Sequence, residues 1–420
     1  MNIPFKKGNI LLPKDTDMTK WSVVACDQYT SEPDYWNDVA KIVGNSPSTL
    51  NLTLPEIYLE DNNVEERINN INSNMSKLIQ ENFFVEYPDS MIYLERTQSD
   101  GKVREGIMGI VDLEAYSYEL GSQTPIRATE KTVIERIPPR VKIRENAELE
   151  LPHIMILIDD AKKEIIESLK NKVSENDKVY DFDLMKNGGH IKGYLLNEEI
   201  INEITKGLEN LANEENFNQK YGVTDKGVLL FAMGDGNHSL ATAKACYENL
   251  KKTMKEEEYL NHPARYALVE LVNLHSPALE FEAINRVIFD TDKENLIKSL
   301  KEFYNINKEG NGQKIEIITD EIDELWYIEN PKSNIAVGSI QMFLDEYLKN
   351  HEGKIDYIHG EDVTKELAHK PNNVGFIFDA MPKNELFKTV ILDGSLPRKT
   401  FSMGHSYDKR YYLEARKIKW

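Results

Sequence analysis

The amino-acid sequence predicts a mixed α/β (α+β) fold. Apolar runs of strand length alternate along the chain with segments whose apolar residues recur at helical spacing. Forty per cent of the 420 residues are hydrophobic, which is enough for a large buried core. No apolar run approaches the roughly 20 residues that a helix needs to cross a bilayer, and the first residues lack the apolar stretch of a signal peptide. We therefore expect a soluble, cytoplasmic protein.

The elements of the first half can be assigned in order. The first sixty residues are rich in turns and aromatic side chains, and an amphipathic helix is predicted from about Val64. The segments MIYLERT and EGIMGIVDL predict two strands separated by a turn. LPHIMILIDD predicts a buried strand that ends at Asp159-Asp160. YDFDLMKNGGHIKGYLL predicts a hairpin, and a helix is expected over about Glu198 to Leu211.

The second half alternates in the same way. RYALVELVN predicts a strand, KENLIKSLKEFY a helix, and KIEIITD with ELWYIEN an antiparallel pair. No repeat or linker marks a boundary, so domains can be divided only by pattern. We predict an N-terminal α/β region (1–125), a central phosphate-binding region (126–290) and a C-terminal α/β region (291–420), which could together form one continuous domain.

Charge and cysteine content exclude several classes of function. The chain carries 71 acidic and 51 basic residues, and this net charge of −20 argues against binding a nucleic-acid backbone. Cys26 and Cys246 cannot build a disulfide framework and lack metal-ligand spacing. One basic island stands out, and its positive charge could hold a small anion. It contains Arg127, Lys131, Arg136, Arg140, Lys142 and Arg144.

The segment GVLLFAMGDGNHSLATAKACYENL is the strongest candidate for a site. Val228–Met233 predicts a strand buried on both faces, and the apolar spacing that follows predicts a helix from Leu240 to about Met254. Gly234–Ser239 would then be a tight turn. Its backbone N–H groups and the helix N-terminus would face outward together, an arrangement that binds anions.

This turn matches no common phosphate-binding motif in full. It is not a Walker A loop, it lacks the third glycine of the dinucleotide fingerprint, and it contains no Gly-x-Ser-x-Gly elbow. It does offer a carboxylate (Asp235), an imidazole (His238) and a hydroxyl (Ser239). A purely structural interpretation stays open, in which Asn237 or Ser239 caps the helix and Asp235 holds the turn by an Asx hydrogen bond.

Three further segments are weaker candidates. IHGEDVTKELAH brings His359, Glu361, Asp362 and His369 close in sequence, but it lacks the spacing of metal ligands on a helix and favours a capped helix. Asp159-Asp160 could bind Mg²⁺, although the sequence favours a turn after the strand. LPRKTFSMGHSYDKR offers either a second anion contact or an exposed basic segment. The sequence therefore predicts no metal site made by protein ligands alone.

Six segments, in order along nearly the whole chain, resemble one family, the domain-of-unknown-function family 1015. The resemblance implies a remote relation to the ParB/sulfiredoxin-like superfamily, whose members bind ATP or CTP and include free-serine kinases. It implies a ParB/sulfiredoxin-like core with additional α/β elements at both ends. The segments are ILLPKDTDMTKWSVVACDQYTSEPDYW, ERIPPRVKIRENAELELPHIMILIDD, GDGNHSLATAKA, RYALVELVN, FEAINRV and LPRKTFSMGHSYDKRYYLEARKI.

The resemblance also implies roles for individual residues. Asp235, Gly236 and His238 fall on the nucleotide-phosphate motif, and Glu130 in RATEKT falls on the position of a general base or Mg²⁺-linked acid. Asn237 stands where a histidine is common, and Ser239 where an arginine is common. Losing that arginine removes a bidentate phosphate donor, so another cation would have to replace it. The candidates are Arg127, Arg265, Arg286 and Lys399.

Three functions stay open on this basis. The first is a nucleotide-dependent small-molecule phosphotransferase or nucleotide hydrolase that uses ATP or another NTP with Mg²⁺ and has serine or a related hydroxylated metabolite as its acceptor. The second is a non-catalytic regulatory protein that binds a nucleotide or metabolite. The third, a ParB-like nucleic-acid-binding protein, is disfavoured by the net charge. We expect no nucleic-acid or membrane partner, and the sequence leaves the oligomeric state open.

Overall fold

The computed structural model describes residues 2–420, and these form two compact units. The first unit contains the residues up to Ala128 together with Thr132–Leu279 and His405–Trp420, and the second contains Thr129–Lys131 and Glu280–Gly404. Both units combine helices with sheets, so the predicted mixed α/β class is confirmed. Across residues 2–420, no helix has both the length and the apolarity that crossing a membrane requires.

The first unit is built around one large sheet. The strands of the first unit are Phe5–Lys6 (β1), Gly8–Pro13 (β2), Phe84–Ser90 (β3), Ile92–Thr97 (β4), Val103–Asp112 (β5), Tyr116–Ser117 (β6), Ile126–Arg127 (β7), Leu149–Glu150 (β8), Met155–Ile158 (β9), Lys178–Leu184 (β10), Gly189–Leu195 (β11), Phe231–Asp235 (β12), Tyr266–Asn273 (β13) and the short strand Arg416–Lys417. Outside the large sheet, β2 pairs with β3, and β8 pairs with Arg416–Lys417. Its helices are Met18–Trp21 (α1), Pro33–Val43 (α2), Val64–Gln80 (α3), Ile137–Arg144 (α4), Glu198–Leu211 (α5), Glu214–Tyr221 (α6), Asn237–Lys251 (α7) and Glu256–Asn261 (α8).

The order of strands in this sheet is β10-β11-β4-β5-β13-β9-β12-β7-β6, with β1 paired to β5. Most neighbours are antiparallel, whereas β13 with β9, β12 with β7 and β7 with β6 are parallel. The middle strands are buried on both faces, which explains their unbroken apolar sequences. Helix α7 follows β12 directly and packs against α4, the helix that carries the second half of the basic island.

The predicted domain boundaries at residues 125 and 290 differ from the boundaries of the two units. Strand β5 belongs to the predicted N-terminal region and β13 to the predicted central region, yet the two pair along seven positions of one sheet. Backbone hydrogen bonds between strands far apart in sequence join the two regions into one core. No local pattern in the sequence announces such pairing.

The second unit has its own sheet. Its strands are Phe281–Phe289 (β14), Ile306–Asn307 (β15), Gln313–Ile318 (β16), Asp323–Ile328 (β17), Lys354–His359 (β18), Val374–Ile377 (β19) and Phe401–Met403 (β20), and its helices are Lys293–Phe303 (α9), Ala336–Tyr347 (α10), Glu361–Ala368 (α11) and Glu385–Asp393 (α12). The strand order is β15-β17-β16-β19-β14-β18, with β20 on β14. The antiparallel pair predicted from KIEIITD and ELWYIEN is β16 with β17, and IHGEDVTKELAH forms the end of β18 and helix α11.

Candidate functional site

The strand and helix predicted around residues 228–254 are present, but the turn between them is shorter than predicted. Strand β12 continues to Asp235, helix α7 begins at Asn237, and Gly236 alone lies between them. One residue suffices because Gly236 has a φ of 79°, in the left-handed region that glycine adopts at little cost. A Cβ atom added there would lie 3.0 Å from the Cα atom of Ile154. The predicted six-residue turn was therefore wrong.

The N-terminus of α7 has no side-chain cap. The structural interpretation of Asn237 or Ser239 as a capping residue is thus wrong, whereas Asp235 does hold the turn, because its Oδ1 accepts a 2.8 Å hydrogen bond from the Gly236 N–H. The Asn237 Oδ1 atom is buried and accepts no hydrogen bond from any described residue. Because α7 is 15 residues long, its N-terminal N–H groups carry partial positive charge and can attract an anion.

Asp235 is the acidic group of this site. The Lys409 Nζ lies 3.4 Å from its Oδ2, and each of the two side chains is 20% exposed. Burial raises the pKa of Asp235, but the charge of Lys409, the nearby His153 and the Gly236 N–H together bring that pKa below its ordinary value. The carboxylate is therefore ionised at neutral pH and partly neutralised by one lysine.

His238 lies on the first turn of α7 and is half-buried. Burial lowers its pKa, and the charges of Arg140 and Arg136 lower it further, to about 4, against a smaller opposite effect of Asp27. The imidazole is therefore neutral at pH 7. Its Nε2 accepts a 3.4 Å hydrogen bond from the Val133 N–H, so in the neutral ring the proton is on Nδ1, which can donate to a ligand.

The cations at this site come from the basic island and the C-terminal segment. Arg136 and Arg140 are close enough to His238 to shift its pKa, and Lys409 pairs with Asp235. Arg140 also forms an ion pair with Glu56. The island was visible in the sequence, but these members of it were not singled out as phosphate-binding candidates.

The two candidate cations of the first unit are engaged elsewhere. Arg127 is buried in β7, and its guanidinium donates hydrogen bonds to the carbonyl oxygens of Thr124 (2.7 Å) and Gly227 (2.5 Å). Arg265 holds Asp112 through two hydrogen bonds of 3.0 and 2.6 Å. Both arginines therefore stabilise the fold by joining segments that are distant in sequence.

The other candidates, Arg286, Lys399 and Glu130, belong to the second unit. Arg286 is fully buried, and its guanidinium donates hydrogen bonds to the carbonyl oxygens of Arg398 and Lys399 at 2.9 and 2.8 Å. The Lys399 side chain is exposed. Glu130 is half-buried and its backbone forms a β-bridge with Leu396. Burial lowers the pKa of Arg286 to about 10, and the charge of Glu130 opposes this shift.

Sequence reasoning missed three residues beside Ser239. The Ser239 Oγ lies 3.0 Å from the Nε2 of His153, and the Nδ1 of His153 lies 3.0 Å from the hydroxyl of Tyr412. The Tyr412 oxygen in turn accepts a 3.0 Å hydrogen bond from the Cys26 N–H. These residues lie near both ends and in the middle of the chain. The only signal was that each falls within a segment that resembles the family.

The fold and the site define a mixed α/β protein with an uncapped helix N-terminus after a buried strand. The chain belongs to the family described as Protein of unknown function (DUF1015), whose model matches residues 4–347. No curated protein sequence is similar to it.

Several solved structures are similar to the chain at low identity. A free serine kinase in complex with AMP is 9% identical, with a TM-score of 0.37 over 74% of this chain and 90% of that chain. A conserved hypothetical protein from Pyrococcus furiosus is 10% identical, with a TM-score of 0.35 over 74% and 94%. SbnI with C-terminal truncation from Staphylococcus aureus is 9% identical, with a TM-score of 0.36 over 71% and 82%. At these identities and TM-scores, the similarity assigns no ligand and no residue role to this chain. The ParB/sulfiredoxin-like core stays a prediction.

Proposed function

We propose that the protein is a nucleotide-dependent phosphotransferase that binds the nucleotide's phosphates at the N-terminus of α7. The uncapped start of this helix is the observation that carries the proposal. In a chain with a net charge of −20, Arg136 near His238 and Lys409 beside Asp235 supply local positive charge at this point. A phosphate group in a partly buried site requires such compensation.

Each residue of the turn has a distinct part in this proposal. The left-handed backbone of Gly236 lets α7 begin directly after β12, and the backbone N–H groups that begin α7 can bind a phosphate oxygen. Neutral His238 donates a hydrogen bond from Nδ1 without adding charge. The Asn237 Oδ1 is a buried acceptor that a ligand hydroxyl or amino group can satisfy.

A magnesium ion fits this site only together with a nucleotide. No three His, Cys, Asp or Glu side chains within residues 2–420 converge to hold a metal ion. Mg²⁺ in nucleotide sites is usually held by one or two carboxylates plus phosphate oxygens and waters, so ionised Asp235 is a suitable protein ligand. The ion would neutralise part of the negative charge of the phosphates.

The proposed reaction transfers the terminal phosphoryl group to a hydroxyl group. The bond between the terminal phosphorus and its bridging oxygen breaks, a bond to the acceptor oxygen forms, and the hydroxyl proton passes to a base. Glu130 is the proposed base, a role that rests on the family resemblance. A small hydroxylated metabolite is the proposed acceptor, and the resemblance favours serine.

A regulatory protein that binds a nucleotide without turnover is the second candidate. The observation that favours it is Ser239, which stands where the superfamily has an arginine and whose hydroxyl pairs with His153. Without that bidentate donor, the site has less means to stabilise the charge that develops during transfer.

The test is a melting-temperature panel of nucleotides with and without Mg²⁺, followed by a turnover assay with hydroxylated acceptors. A ligand at 100 times its dissociation constant stabilises the folded state by roughly 2.7 kcal/mol, which a melting experiment detects. We expect stabilisation by a nucleoside triphosphate and release or transfer of its terminal phosphate. Absence of nucleotide binding would refute the proposal, and binding without turnover would favour the regulatory protein.

Glu130→Gln tests the proposed base. We expect turnover to fall by about 10²–10⁴-fold, because proton transfer in the transition state is lost, with little change in nucleotide affinity. Glu302→Gln, an exposed change in the same unit, is the matched control and should leave both quantities unchanged. Full activity of Glu130→Gln would remove this residue from the reaction.

A further inference from the structure

A pocket of about 140 Å³ lies in the first unit beside the start of α7. Most of its wall is apolar, with contributions that include Leu54, Met75, Ile143, Ala147, Leu149 and Leu268. An apolar cavity of about 150 Å³ can hold a benzene molecule. The pocket therefore has room for an apolar group of about the size of a benzene ring. We call it the α7 pocket.

One part of the α7 pocket carries hydrogen-bonding groups. Ser239 and Thr242 both line it and lie three residues apart on α7, so they share a helix face. The Ser239 Oγ is 3.0 Å from the Nε2 of buried His153, which holds the hydroxyl in place. The Thr242 hydroxyl donates to the His238 carbonyl at 2.7 Å and keeps its lone pairs free to accept. These groups suit a ligand that has one hydroxyl.

The arginines that line the α7 pocket are already neutralised. Arg140 is paired with Glu56, and Arg144 lies 2.5 Å from Glu150. A ligand charge would therefore lose its hydration in a mainly apolar wall without gaining an uncommitted counter-charge. An amino acid such as serine carries an ammonium and a carboxylate, so the wall disfavours it.

We propose that the α7 pocket binds an uncharged alcohol whose apolar body is a benzene-sized ring or a branched aliphatic chain, with its hydroxyl at Ser239 and Thr242. A second part of the proposal rests on the proposed phosphotransfer. In that reaction, this alcohol is the phosphoryl acceptor in place of serine. Its oxygen forms the new bond to the terminal phosphorus, the bond from that phosphorus to the nucleoside diphosphate breaks, and the hydroxyl proton leaves to the base.

The test measures ligand binding to the full chain without any nucleotide. Benzyl alcohol and 3-methylbutan-1-ol should each raise the melting temperature, with dissociation constants of about a millimolar for ligands of this size. Serine and glycerol at the same concentrations should leave it unchanged. If serine or glycerol stabilises the protein as much as the two alcohols, or if neither alcohol binds, the proposal is overturned.

Two variants locate the binding. Ile143→Phe fills the pocket and should lower the affinity for both alcohols at least about tenfold, because a steric clash replaces a buried apolar contact. Ile42→Phe, the same change at a side chain that is 39% exposed, is the control and should leave binding intact. If Ile143→Phe does not fold, Ala147→Val serves the same purpose. Equal binding in the filled variant and the control would overturn the proposal.

Ser239→Ala examines the polar part of the pocket. The affinity for benzyl alcohol should fall by about fivefold, because one hydrogen bond is lost. The affinity for toluene, which has no hydroxyl, should be unchanged. An equal effect on both ligands would contradict the assigned position of the hydroxyl. Failure of the proposed phosphotransfer looks different, since alcohols would still bind while nucleotides neither bind nor turn over. Phosphorylation of serine without alcohol binding would overturn only the pocket proposal.

Discussion

Two polar clusters of the first unit, one around Glu270 on β13 and one at the start of α7, differ in how completely they are bonded. Glu270 is fully buried and accepts hydrogen bonds from Arg104 at 3.0 and 3.2 Å and from Arg410 at 2.5 Å. At the start of α7, Asp235 has a single cation at 3.4 Å, and the helix itself is uncapped. The first cluster has no capacity left for a ligand, and the second does.

The difference shows why charge alone is a poor guide to function. Burial raises the pKa of Glu270, but Arg104 and Arg410 outweigh burial and lower it, so the network stays ionised inside the core. Arg127 and Arg265 are of the same kind, since their guanidinium groups are bonded within the fold. Groups that retain unused hydrogen-bonding capacity near a helix N-terminus are the better candidates for function.

The largest expected effect is on the Glu270 cluster. Glu270→Gln leaves two buried guanidinium groups without their shared carboxylate and should lower the free energy of unfolding by about 3–5 kcal/mol. Urea denaturation measures this loss. Glu86→Gln, at a carboxylate that is 41% exposed, is the control and should cost less than about 1 kcal/mol. A small loss in Glu270→Gln would mean that the network contributes little to stability.

Gly236→Ala should have the next largest effect, because it changes both stability and binding. The left-handed backbone and the close approach of Ile154 should together cost about 1–3 kcal/mol, and nucleotide binding should weaken as the backbone shifts. Gly222→Ala is the matched control: its φ is 68°, but nothing lies within 4 Å of the added Cβ. It should cost about 1 kcal/mol and leave binding unchanged. Equal nucleotide affinity in the two variants would argue against a phosphate at Gly236.

The contribution of His238 to the stability of the folded protein should depend on pH. Because the pKa of His238 is about 4 in the folded protein and about 6.5 in the unfolded chain, the unfolded chain binds more protons between these values. Stability contributed by the neutral ring is therefore complete above pH 6.5 and is lost as pH falls towards 4. His238→Asn should show a shallower loss over this window in urea titrations at several pH values. Parallel curves for the two proteins would contradict the lowered pKa.

Lys409→Gln should have the smallest effect on stability, under about 1 kcal/mol, because its ion pair with Asp235 is partly exposed. The pKa of Asp235 should rise, since a neighbouring positive charge is removed. Nucleotide affinity should fall in a salt-dependent manner. Lys417→Gln, which removes an exposed pair with Glu86, should change neither property. An unaltered affinity in Lys409→Gln would exclude this lysine from the phosphate site.

Much of the fold could be predicted because its signals are local. The apolar run before Gly234 predicted a buried strand, and the spacing after Ser239 predicted a helix. The exact turn could not be predicted, because β12 extends to Asp235 through its pairing with Met155 on β9. The density of arginines identified the basic island. Which arginines were free to act could not be predicted, since Arg127 is bonded to a carbonyl oxygen a hundred residues away.

The sequence by itself determined the mixed α/β class, the family and the succession of a buried strand and a helix on either side of a glycine-containing turn, because apolar periodicity and glycine conformation act over a few neighbouring residues. Only the tertiary structure decided which polar groups are engaged and which are available. It brought His153 and Tyr412 to Ser239, Lys409 to Asp235, and an apolar pocket to the side of α7. Hydrogen bonds and pockets form between segments that are distant along the chain, and their partners are defined only once the sheet has assembled.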